Sequence, residues 1–207
     1  MSNSSASLWT LTAAQLRDQI ASTDPTPGGG SVSIITAALG AASIQKAVAV
    51  SLKKSAVDSP RHQSLLNLSY RVSALLASLS ELADADSLAF QRYLKACAQP
   101  RTNENEKARR RAARKDCLVR ATEVPLEAAA EMARGLEFAE AAAGIVDIHV
   151  RSEILAGRVL LQASIESVLL NVDANLPGIS DETIRNALKL RRKKVEHVAK
   201  FPATGSR

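Results

Sequence analysis

The sequence predicts an all-α protein, and three observations carry that prediction. Apolar residues recur at three- and four-residue intervals along most of the chain, and no alternating period of two persists anywhere. The apolar share is 46% but aromatics supply only 3%, so Ala, Leu, Ser and Val build the core, and side chains this small let helices approach closely. The segment from Ser31 to about Leu52 is apolar on nearly all faces, the mark of a helix surrounded by others. The expected architecture is one domain over residues 1–207, a bundle of about six to eight helices around this Ala-rich central helix.

Each element has its own local reason. Leu8, Leu11, Leu16 and Ile20 give a short amphipathic helix over Trp9 to Ile20, capped by Thr10 or Thr12 and ended before Thr23-Asp24-Pro25. In the central helix, Gly40 and its Ala neighbours mark a close crossing. After Asp58-Ser59-Pro60, Leu65, Leu68, Val72, Leu75, Leu79, Leu82 and Phe90 define one long helix from His62 to Cys97. Pro100 ends it, and Thr102 or Asn103 opens a charged helix to Ala121. Pro125 is read as the first turn of, or a kink into, a further helix over Leu126 to Ala142. Beyond Gly144, Ser152 to Val172 is helical; Pro177-Gly178 turns the chain, and Ser180-Asp181-Glu182 caps a basic terminal helix from about Asp181 to Lys200.

Composition narrows the function classes. Cys97 and Cys117 show no CxxC and no His pair, so neither a disulfide framework nor a metal site is indicated, and a reducing cytoplasm is expected. Met1 to Thr10 lacks the basic start and apolar run of a signal peptide, and Gln45 and Lys46 interrupt the most apolar stretch, so no membrane span is expected. The net charge is +6, concentrated in Lys107 to Lys115 (KARRRAARK) and Lys189 to Lys194 (KLRRKK). Such runs are solvated helix faces, nucleic-acid contacts or a field that steers an acidic small molecule; nucleic acid is the unlikely reading, because few aromatics interleave and no recognition motif accompanies them.

The most informative motif is Pro25-Thr26-Pro27-Gly28-Gly29-Gly30-Ser31, run straight into the central helix. Three glycines let backbone amides approach a ligand, Pro27 restricts the entry, and Ser31 is placed to cap the helix. The exposed amides and the positive dipole end suit a carboxylate, phosphate or carbonyl oxygen, although the same pattern also serves as a plain connector. No GxGxxG follows a strand and no Gly-Lys-Ser/Thr is present, which disfavours nucleotide binding. Asp86 lies inside a predicted helix among Leu79, Leu82, Leu88 and Phe90, an unfavourable place for Asp. It either faces solvent beside Glu81 and Asp84 or faces a cleft as a proton acceptor and donor.

These motifs occur in one order with Pro100-Arg101, Val124-Pro125-Leu126-Glu127, and Asn171-Val172 with Asn175-Leu176. From about Leu11 to Lys194 the chain resembles the formiminotransferase-cyclodeaminase-like family, which comprises the cyclodeaminase domain and stand-alone methenyltetrahydrofolate cyclohydrolases. The resemblance implies an all-α homodimer whose substrate is a reduced folate or related pterin, with no further cofactor. It implies either hydrolysis of the methenyl bridge to the formyl compound or closure of formiminotetrahydrofolate with loss of ammonia. Asp86 matches the family's acid/base position, with Glu153 as a second carboxylate. Pro27, Gly28, Gly29, Gly30 and Ser31 fall at the substrate-binding helix entry. Lys54 and Arg101 match cations that would hold a ligand carboxylate or tune a nearby acid.

Val146-Asp147-Ile148-His149-Val150-Arg151-Ser152-Glu153 departs from the family's Gly-Asn-x-Asn-x-x-Ser-Asp. Ser152 is kept, while His149 introduces a titratable ring that is either a replacement acid/base or an ordinary satisfied histidine. The lost amides leave room for an altered pterin, or for a member that binds folate or acts as a scaffold without catalysis.

Overall fold

The computed structural model describes residues 7–200, with the side chain of Lys200 outside the description. The start of the segment read for a leader and the last residues of the expected domain therefore lie outside it. Among the described residues there are six α-helices and no strand.

Helix α1 spans Ala13–Ile20, behind a short 3-10 turn over Leu8–Thr10. Thr12 caps it, its hydroxyl accepting from the Gln15 amide while the Gln15 side chain reaches back to the Thr12 amide. No residue of α1 is buried. The segment is clipped instead at its start, where Leu8 N–H donates to Asp84 Oδ1 at 2.8 Å and Trp9 Nε1 to the Ser80 carbonyl at 3.0 Å.

Helix α2, Gly29–Lys53, is the predicted central helix. By length and composition it could cross a bilayer, yet Ile34, Ala37, Ala41, Ile44, Ala47 and Val48 are fully buried against α3 (Pro60–Cys97), α4 (Glu104–Ala143) and α5 (Arg151–Asn175). It runs antiparallel to α5, and the two cross where Gly40 meets Gly157. A Cβ on Gly157 would stand 2.5 Å from the Gly40 carbonyl oxygen and 2.7 Å from Ile44 Cγ1. At Gly135 of α4, Leu75 and Leu161 close in to 3.0 Å of an added Cβ, locking α3, α4 and α5 at one level.

Helices α3 and α4 form a long antiparallel hairpin, and α4 runs through Pro125 as one helix, so Pro125 does not open a separate helix at Leu126. Proline in a helix interior removes the amide that would bond the carbonyl four residues back, at a cost of about 3 kcal/mol. In this chain the Asn175 side chain, at the end of α5, donates to that Ala121 carbonyl at 3.0 Å. Val124, Pro125 and Leu126 are buried around the defect. A replacement donor plus apolar burial lets α4 continue as one helix. After a turn at Leu176–Gly178, α6 (Glu182–Lys200) packs Leu188, Val195 and Ala199 onto the bundle.

Gly157→Ala is expected to lower stability by about 1–3 kcal/mol, because backbone rather than a flexible side chain opposes the new methyl. Gly144→Ala is the control: nothing lies within 4 Å of its Cβ and its φ is −84°, so a neutral or slightly stabilising change is expected. Urea midpoints of the two variants check both.

Candidate functional site

The head of α2 organises the site. Gly28 is its N-cap, so the helix begins before Ser31 rather than at it. Ser31 makes no cap; it is buried one turn in and donates its hydroxyl to Asp86 Oδ2 at 2.8 Å. The cap assignment is thereby corrected: with Gly28 closing the helix, the serine is turned toward α3. None of the three glycines has positive φ, so left-handed backbone is not their purpose. Gly30 is required by close approach, since a Cβ there would meet Asp86 Oδ2 at 2.6 Å and Oδ1 at 2.8 Å. Gly28 and Gly29 have only ordinary contacts, to the Pro25 carbonyl at 3.6 Å and the Asn171 side chain at 3.8 Å.

Asp86 is half-buried, among the walls of a cleft of about 280 Å³. Burial pushes its carboxyl above the ordinary aspartate value, and hydrogen bonds from the Ser31 hydroxyl and amide oppose that shift without reversing it. Phe90, one turn on along α3, forms an apolar wall; Ala121 of α4 faces it, and Asn171 and Asn175 of α5 close the third side. The cleft thus offers a carboxyl able to hold or release a proton, helix-head amides for an oxygen, and an amide side chain beside an aromatic face. Pro27 is buried in the loop that delivers the glycines, while Thr26 lines the cleft beside them.

The remaining sequence candidates lie elsewhere in the chain. Lys54 is the C-cap of α2, about 35 Å of helix away from Ser31. Its Nζ pairs with Asp147 Oδ2 at 3.0 Å, and Asp147 is held below the ordinary aspartate value, first by the His149 amide and then by Lys54. Glu153 pairs with Lys46 at 2.6 Å, and Ser152 and the His149 residue are exposed beside it. Because α5 runs antiparallel to α2, its first turn meets the tail of α2 and its last turn meets the head. Within one chain Glu153 is therefore no second carboxylate for Asp86. Arg101 is exposed in the α3–α4 connection and does not line the cleft.

Sequence reasoning did not nominate Thr26, Ser87, Phe90, Asn171 or Asn175 as site residues. Their signal was present for the asparagines: two amides four residues apart near a helix end share one face.

A bundle of antiparallel helices with a half-buried carboxyl seated against a glycine-rich helix head is the class of protein that the fold and the cleft define. The chain belongs to the Formiminotransferase-cyclodeaminase family, which it matches over residues 12–194. It is 30% identical over 187 residues to the formimidoyltransferase-cyclodeaminase of Sus scrofa, covering 89% of this chain and 34% of that protein, so it spans about a third of that relative. It is also 30% identical over 165 residues to the methenyltetrahydrofolate cyclohydrolase of Methylorubrum extorquens, covering 79% of this chain and 78% of that one. Its fold matches the crystal structure of formiminotetrahydrofolate cyclodeaminase from Thermotoga maritima with a TM-score of 0.82, over 93% of this chain and 92% of that one, at 24% identity. The all-α expectation and the family resemblance both hold.

A raised carboxyl pKa has a sign in stability. The native state holds the Asp86 proton more tightly than the unfolded chain does, so the associated stability is complete below about pH 4 and is lost as pH rises through the native pKa. Asp86→Asn keeps an acceptor for Ser31 and carries no charge. It is expected to be more stable than the parent at neutral pH, with the difference shrinking as pH falls toward 4. Urea titrations across that range check it; a pH-independent difference would contradict the burial of an ionised carboxylate.

Proposed function

We propose that this protein is an enzyme of folate one-carbon chemistry, acting at the carbon that bridges the two folate nitrogens. Asp86 carries the reading: a carboxyl whose pKa is raised by burial, oriented by Ser31 and placed at a helix head, is a group that can both take and return a proton. In the hydrolytic direction, water adds to the methenyl carbon while Asp86 accepts its proton. The resulting carboxylic acid then protonates the pterin-side nitrogen as its bond to that carbon breaks, and the hydroxyl left on the carbon releases its proton to solvent as the C=O forms, leaving the 10-formyl compound. In the deaminating direction the folate amine attacks the formimino carbon and gives its proton to Asp86, which passes it to the amino group on that carbon as the C–N bond breaks and ammonia leaves. Helix-head amides stabilise oxygen charge, and Phe90 stacks on a ring. Hydrolysis takes precedence, because the 30%-identical relative matched over comparable shares of both chains bears a cyclohydrolase name, while the cyclodeaminase structure, at 24% identity, supports the fold alone.

The active form we propose is a homodimer across the exposed side of α2 and α5. Leu39, Leu155, Val159 and Leu170 are between 57% and 69% exposed, and the three on α5 lie along one stripe. On α5, Arg151 and Arg158 precede the middle of the stripe while Glu166 follows it, with Asp173 beyond already paired to Arg192 of the same chain. Copies set antiparallel therefore match basic halves to acidic ones. That arrangement also brings the Lys54, His149, Ser152 and Glu153 end of one copy toward the Asp86 end of the other. The free thiols of Cys97 and Cys117 support residence in the reducing cytoplasm.

Asp86→Asn is expected to lower turnover by a factor of about 100 or more with ligand affinity within a few-fold. The decay of methenyltetrahydrofolate absorbance, corrected for spontaneous hydrolysis, is the assay; unchanged turnover removes Asp86 from the mechanism. Val159→Glu is expected to sediment as a monomer and lose turnover while keeping its helix content. A parent protein that sediments as a monomer and is fully active would exclude the dimer.

A further inference from the structure

The sequence nominated Lys54 and Arg101 to neutralise a ligand carboxylate, and neither reaches the cleft of its own chain. Two other arginines stand where such a cation is needed. Along the α3–α4 hairpin, Arg110 Nε donates to the Cys97 carbonyl at 3.0 Å, and Arg114 faces the Tyr93 and Cys97 side chains. The same antiparallel register continues to Asp86 and Ala121, which share the cleft. Asp86, Phe90 and Tyr93 fall on one face of α3, and Ala121, Arg114 and Arg110 on one face of α4. Arg114 is two turns, about 10 Å, beyond Ala121, and Arg110 one further turn. Phe90, which lines the cleft, and Tyr93, with ring centroids 6.3 Å apart, lie along α3 between those two levels.

Charge and hydrogen bonding set Arg114 apart. Lys46, Lys54, Arg120, Arg134 and Arg192 all face carboxylates, whereas among the described residues neither Arg110 nor Arg114 is paired with one. Arg114 Nε is buried and has no hydrogen-bond partner. A guanidinium in that state suits a carboxylate, whose two oxygens take neighbouring N–H groups together. A depression adjoining the cleft, about 380 Å³ beneath the N-terminal segment, has Asp84 as its charged group and would repel an anion.

We infer that Arg114, backed by Arg110, is the subsite for the glutamyl carboxylate of the substrate, with the aryl group of the ligand lying along Phe90 and Tyr93. The inference rests on the folate reading above. Ordinary bond lengths place that carboxylate roughly 10 Å from the one-carbon bridge, which matches the rise from Asp86 to the level of Arg114.

The test is calorimetric titration of the full chain with tetrahydrofolate and with tetrahydropteroate, which lacks the glutamate. The parent is expected to bind tetrahydrofolate at least about tenfold more tightly, and Arg114→Gln to remove that preference by weakening tetrahydrofolate alone. Arg110→Gln, which leaves the Tyr93 contact in place, is expected to reduce the preference partially and covers the case of an unfolded Arg114 variant. Equal affinity of the parent for both ligands would overturn the subsite while leaving the folate reading intact. Binding of neither would overturn both.

Discussion

A carboxyl group pressed against the first turn of a helix is tolerable only where nothing projects from that turn, and this condition shapes the protein around Asp86. Its oxygens lie where any side chain at Gly30 would have to be, 2.6 and 2.8 Å from the missing Cβ. The contact holds only if α2 and α3 keep their relative height, and the packing of fully buried Ile44, Val48, Leu65, Val72 and Leu79 maintains it. Partial desolvation raises the carboxyl pKa while Ser31 keeps it oriented, so the two features a proton-transfer group needs come from one contact.

The opposite wall depends on a second, less local device. Pro125 frees the carbonyl of Ala121, and that carbonyl holds Asn175; the last turn of α5 is thereby tied to α4 beside the cleft. The defect and the wall are thus one construction, with the unmade helical bond serving as the attachment point. Further down, the Gly40–Gly157 crossing sets α5 against α2 closely enough for Ser33 to reach Ser167 at 2.8 Å and for Asn171 to lie over Gly29. Small residues at mid-helix therefore determine which side chains meet at its end.

Helices were legible in the sequence because apolar spacing is a local property; their ends were less so. Ser31 had the chemistry of a cap, but capping is decided by which residue leaves helical geometry, and Gly28 does so first. Pro125 obeyed a rule that holds for an isolated helix, and the donor that overrides it comes from another helix. Asp86 and the glycines were identified together by motif order, whereas their contact, and the reason only Gly30 of the three is sterically constrained, appear only in three dimensions. Motif order also grouped Lys54, His149, Ser152 and Glu153 with Asp86, because linear order does not say which end of an antiparallel helix pair a motif occupies.

The same blindness applies to charge. KARRRAARK reads as one basic run, but the helical period divides it. Lys107 turns to Glu104 at the helix start, Arg109 and Arg111 are exposed, and Arg110 and Arg114, four residues apart, turn together against α3. The second run divides likewise, with Arg192 drawn to Asp173 and Glu196 while Lys189 and Lys193 remain exposed. A net charge of +6 therefore describes no single surface. What matters for an anionic ligand is the small subset of cations that the helix phase places on the cleft side and that no carboxylate of the chain has already neutralised. In this fold that subset follows from the register of one hairpin, the same register that seats Asp86 opposite Ala121.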